Sequence, residues 1–151
     1  MSDRVLVVST STHIARAIDV VRRHFTDVEH HMRHRVHPNV EFTPLTDGEG
    51  ECRFRKTIRM LGIPIVDEVV LKRQPDGTIT EDSVAGPSTG MRLVSSFSAD
   101  GPERTLTTLT VHLPVRGVKR LAAPWLRVAI ARRLTRALDE DRRDLERGSY
   151  V

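Results

Sequence analysis

The chain has 151 residues and a formal charge of +4, with 38% hydrophobic and 29% charged residues. A single domain of this length buries roughly 70% of its unfolded surface, so a sizeable core is accessible and the composition excludes a disordered chain. Apolar runs such as Val5 to Val8 and Pro64 to Val66 fall far short of the ~20 residues that span a bilayer, and no apolar signal core opens the chain. A cytoplasmic protein without membrane insertion is expected. One cysteine, Cys52, excludes an internal disulfide and any two-cysteine zinc or iron–sulfur motif. Acidic residues accompany the basic ones throughout, so the small basic balance argues against a nucleic-acid partner.

In chain order, Val5, Leu6, Val7 and Val8 predict an entry strand between Arg4 and Thr10. Ile14, Ile18, Val21 and Phe25 recur at helical spacing and predict a first short helix over 14–25. Asp27 is the expected N-cap of a second short helix running to about His34, which ends before Pro38 because that proline forces His37 to be extended. From Val40 onward the breaks at Asp47-Gly48, Gly62, Pro75-Asp76-Gly77, Gly86-Pro87 to Gly90 and Asp100-Gly101-Pro102 leave room for five or six antiparallel strands.

Two of those strands show a dry and a wet face. Cys52, Phe54, Ile58 and Met60 alternate with Arg53, Arg55, Thr57 and Arg59, and Thr107, Leu109, Val111 and Leu113 alternate with Leu106, Thr108, Thr110 and His112. After Gly117 the chain is dense in Ala, Leu and Arg, which predicts a long helix to about Arg147. Its stripe is Leu126, Ile130, Leu134, Ala137, Leu138 and Leu145, with Arg132, Arg136, Asp139 and Arg143 facing away. No repeat or linker divides residues 1–151. The expected class is α+β: a curved antiparallel sheet of six to seven strands around a long C-terminal helix, with two short helices after the first strand.

Several polar residues interrupt these patterns. His30 and His34, four apart, share a helix face and are candidate metal ligands. Lys56 breaks the dry face of its strand, and Asp67 with Glu68 places one carboxylate inward on the next strand in either register. A facing Lys–carboxylate pair is a candidate general acid/base couple. Arg127 falls in the apolar sector of the long helix, where it either anchors an anionic ligand group or buries its stem with the charged head in water. No Gly-x-Ser-x-Gly elbow or Gly-rich phosphate loop is present, which argues against nucleophilic catalysis and nucleotide hydrolysis.

The order strand, two short helices, antiparallel strands, long helix resembles the START-like, or Bet v 1-like, superfamily, in particular its bacterial polyketide cyclase/dehydrase and lipid-transport group. The segments Ala17-Ile18-Asp19-Val20-Val21, Phe25-Thr26-Asp27-Val28-Glu29 and His37-Pro38-Asn39-Val40 carry the resemblance. It implies a helix-grip fold and a cavity for a small hydrophobic, ring-containing ligand between sheet and helix. Phe54, Ile58, Met60, Leu93, Phe97, Leu109, Val111, Trp125, Arg127, Ile130 and Leu134 are the expected lining.

Binding or transport of such a ligand is the first expectation. A polyketide cyclase or aromatase using Lys56 with Asp67 or Glu68 is the second, and a ribosome- or protein-binding module the third. The resemblance extends to the iron-binding domains of Rieske oxygenases, whose aspartate is followed by histidines three and then five positions on. Asp27 and His30 match the first spacing, but Arg35 stands at the second, so no metal or other cofactor is expected. The oligomeric state is left open.

Overall fold

The computed structural model describes residues 4–48, 51–60, 62–148 and 150, with the backbone alone at 47, 48 and 60. In chain order its elements are β1 (Arg4–Ile14), α1 (Ile18–Thr26), α2 (Val28–Arg33), β2 (Val40–Gly48), β3 (Glu51–Met60), β4 (Ile63–Arg73), β5 (Ile79–Ala85), β6 (Arg92–Ala99), β7 (Thr105–Val115), a 3-10 turn (Gly117–Arg120) and α3 (Ala123–Glu146). The strands form one seven-stranded antiparallel sheet, ordered β1-β7-β6-β5-β4-β3-β2. It curves around α3 in a helix-grip arrangement, as the sequence pattern predicts.

The alternation in β3 and β7 is realised as two faces. Phe54, Leu109 and Val111 are buried against the inner side, whereas Arg53, Arg55 and Arg59 are exposed. On the outer face hydroxyls pair across β1 and β7, Ser9 with Thr110 at 3.0 Å and Ser11 with Thr108 at 2.7 Å. One expectation fails here. The helical spacing that starts at Ile14 misplaces that residue, because β1 continues to Ile14 opposite Thr105 and α1 begins only at Ile18. The ladder to β7 outweighs the local helical period, and Ile14 is fully buried on the strand.

The stripe of α3 is divided between two parts of the core. Leu134 and Leu138 pack on Leu6, Val8, Leu109 and Val111, while Leu145 packs with Ile14, Val21 and Tyr150 beneath α1. A third cluster, Phe54, Val69, Leu71 and Ile79, belongs to the far half of the sheet. The helix grips β1 and β7, and the sheet curls past it on the other side. That separation leaves the space in which the site lies.

Asp27 caps α2 as expected, its Oδ1 accepting from the His30 N–H at 2.9 Å. Its Oδ2 accepts from the Tyr150 hydroxyl at 3.1 Å, which ties the end of the chain to the α1–α2 junction. Replacing Asp27 with Ala is expected to cost about 1–2 kcal/mol of unfolding free energy in urea, from the lost cap and the orphaned hydroxyl. A loss below about 0.3 kcal/mol would show the cap to be dispensable.

Candidate functional site

Between the inner face of the sheet and α3 lies a cavity of about 580 Å³, a volume within the range of small-molecule sites. Its walls are mainly apolar. Phe54, Ile58, Leu93, Leu109 and Val111 line it from the sheet, and Ile130 and Leu134 from α3. Phe42, Leu126 and Ala137 complete the apolar wall. Small polar groups interrupt it at Ser83 and Ser95, both buried on adjacent strands.

Other expected lining residues lie elsewhere. Trp125 is 80% exposed, because at the N-terminal end of α3 it projects to the side of Leu126, the residue that enters the cavity. Arg127, on the other side of Leu126, lies on the surface and donates from Nη1 to the Val7 carbonyl of β1 at 2.9 Å. Its guanidinium holds α3 to the sheet edge rather than meeting a ligand. Phe97, on the same face of β6 as Leu93 and Ser95, packs edge-on against Phe25 at a centroid distance of 5.3 Å and fills the space under α1 beyond the cavity lining. The Met60 side chain falls outside the described residues.

The lysine and carboxylate pattern resolves cleanly. Lys56 and Asp67 are opposite one another in the β3–β4 ladder, and both line the cavity. Glu68 points to the other face, where its carboxylate lies 3.9 Å from the Arg55 guanidinium, so it is not a cavity residue. Asp67 is buried, and its Oδ1 accepts from the Ser88 N–H at 2.9 Å. The loop reaches it through Gly86, at φ +103°, where a Cβ would come within 2.5 Å of that same oxygen. Asp67 is thus held in place by the β5–β6 connection, while Lys56 makes no ion pair among the described residues.

The second polar feature is a set of imidazoles meeting carboxylates of α3. His31 Nε2 lies 3.0 Å and His37 Nε2 3.2 Å from Asp141 Oδ1. His24 and His30 both reach Asp144 Oδ2, at 2.8 and 2.6 Å. His37 Nδ1 lies 3.1 Å from Glu140 Oε2. His31, His37, Glu140 and Asp141 border the cavity, so this cluster forms one end of its wall. The donor atoms of His24, His31 and Asp141 lie within 4.8 Å of one another, as do those of His24, His30 and Asp144.

Burial and charge act against each other in this cluster. Burial favours neutral His37, but Asp141 and Glu140 outweigh it and hold the imidazole pKa up to about 10. His31 is raised in the same way, burial being overcome by its bond to Asp141. Burial would raise the Asp141 carboxyl, yet His37 and His31 together hold it well below the usual range. His24 goes the other way: burial and the neighbouring His31 lower it to about 4 against the pull of both aspartates. The sequence pair His30 and His34 does not act as a unit. His34 is the exposed C-cap of α2 with its ring 4.5 Å from that of His30, and only His30 turns toward a carboxylate.

Comparison with known proteins gives a consistent result. Residues 6–146 match the family model described as polyketide cyclase / dehydrase and lipid transport. No curated protein matches the chain. Among solved structures, the Zhui aromatase/cyclase of Streptomyces sp. R1128 superposes with a TM-score of 0.83 at 18% identity, covering 95% of each chain. A protein of Thermus thermophilus gives 0.82 at 15% identity, covering 95% of this chain and 99% of its own. A START superfamily protein of Mycobacterium smegmatis gives 0.79 at 16% identity, with the same coverage. At these identities the likeness shows the fold.

Proposed function

The chain belongs to the polyketide cyclase / dehydrase and lipid transport family, and on that premise we propose that it binds a small hydrophobic, ring-containing molecule between its sheet and α3. The observation that carries this reading is the cavity of about 580 Å³ itself, with apolar side chains on both walls and charged and polar groups from the sheet and α3 among them. A packed interior leaves few voids larger than a water molecule, so a space of this size supports a binding site over a packing defect. Uptake of an environment-sensitive apolar dye tests it. Saturable, one-to-one enhancement that ring compounds displace is expected, and unsaturable or absent enhancement would overturn the reading.

A second reading, cyclisation of an enolisable chain, is favoured by one feature: Lys56 and Asp67 face each other inside the cavity. A lysine with access to the ligand and a positioned carboxylate can exchange a proton with it, and an apolar cleft can hold a flexible chain in a reactive fold. Lys56→Met removes the charge at similar length. If the couple is catalytic, turnover of a poly-β-ketone substrate falls by about 10²-fold or more while dye affinity is retained. Unchanged turnover would make the pair structural, and no turnover by the unmodified protein would leave the carrier reading.

A further inference from the structure

We propose that the segment from Val118 to Val128 is a docking surface for an anionic membrane. Four large apolar side chains stand out from it: Val118 and Leu121 are each 83% exposed, Trp125 80% and Val128 49%. The 3-10 turn passes through Leu121 and Ala122, both with right-handed helical backbone, into α3. Steps of three, four and three residues therefore put all four side chains on one side of a nearly continuous coil. Leu126, Ile130 and Leu134 take the other side and meet the core and the cavity. A surface helix is ordinarily apolar on one side only, and an exposed apolar stripe marks a surface that something else covers.

Charge identifies what covers it. No Asp or Glu occurs from Arg104 to Leu138, a stretch that contains Arg116, Lys119, Arg120, Arg127, Arg132 and Arg133. Farther along α3, Arg142 and Arg143 are taken up by Asp139 and Glu146. Lys119, Arg127, Arg132 and Arg133 make no ion pair among the described residues. The helix also starts without a side-chain cap or an acidic residue in its first turn, so its dipole adds to the positive field.

A second copy seated on this stripe by two-fold symmetry would set the same cations against one another. An anionic bilayer surface neutralises them, and its headgroup region admits protruding Val, Leu and Trp side chains without a matching pocket. Tryptophan in particular favours that boundary, its ring apolar and its N–H still able to reach water. No described helix is long and apolar enough to cross a membrane, so the contact is with the surface of the bilayer. Docking of this kind does not depend on the ligand reading above.

Trp125 is the single tryptophan of the chain, so its fluorescence reports the contact directly. On phosphatidylcholine vesicles containing phosphatidylglycerol, a blue shift of about 10 nm and co-sedimentation are expected, both declining steeply with added salt. The double variant Val118→Ser/Leu121→Ser should lower the partition coefficient at least about tenfold with an unchanged circular dichroism spectrum, because both side chains are exposed. Val84→Ser, on the outer face of β5, should bind as the unmodified protein. No shift and no co-sedimentation at low salt, equal partitioning of the double variant, or equally tight binding to phosphatidylcholine alone would overturn the proposal. A dimer in light scattering, with Trp125 emission already blue-shifted in the absence of vesicles, would overturn it in favour of a second copy.

Discussion

Replacing Asp141 with Ala is expected to destabilise the protein by about 3–5 kcal/mol, the range found when one partner of a buried charge network is removed. Asp141 is 3% exposed and is the common partner of His31 and His37, which reach it from α2 and from the turn that follows. Without it the two imidazoles face each other at a ring separation of 5.3 Å, with Glu140 as the nearest remaining carboxylate to His37. The loss combines a missing counter-charge with the separation of α2 from α3. Urea unfolding followed by circular dichroism measures it. A change of less than about 1 kcal/mol would mean that α2 is held by packing and that the network contributes little.

The second large effect concerns the cavity. Ala137 faces it from the middle of α3, one residue before the buried Leu138. Ala137→Phe keeps a side chain the helix tolerates and sends a ring into the open space. Ligand affinity is expected to fall at least tenfold, equivalent to about 1.4 kcal/mol, with unfolding free energy unchanged to within about 1 kcal/mol. The two readouts together are the test. In a filled core the same ring would have no space, and destabilisation of about 1–3 kcal/mol would appear instead. Unaltered ligand affinity would place the binding site outside the cavity.

The fold was legible wherever one residue period held over a whole element. Alternation in β3 gave the burial of Phe54 and the inward turn of Lys56, and the same rule put either Asp67 or Glu68 inside. The stripe Leu126, Ile130, Leu134, Leu138 marks the face of α3 that meets the sheet and cavity. Periodicity failed at element ends. Ile14 fits a helical repeat with Ile18 and Val21 but belongs to a strand, since pairing with β7 is a tertiary effect invisible in a local window. Trp125 and Arg127 flank Leu126, and a step of one residue on a helix is enough to turn a side chain out of the cavity.

The histidine cluster shows a different limit. Spacing of four draws attention to His30 and His34, yet the chemistry gathers around His31, His37 and His24 because α3 supplies the carboxylates. Asp141 is 110 residues from His31 in sequence, so no local motif links them. What the sequence did carry was the concentration of histidine between 24 and 37 opposite an acidic stretch at 139–146. Only the fold determines which of these side chains meet.

Native mass spectrometry of the protein purified from its own host, followed by denaturing extraction, tests the central claim most directly. A stoichiometric ring-containing or lipid-like compound released on denaturation is the predicted result. A clean mass for the bare chain, together with no saturable uptake of an apolar probe, would contradict it.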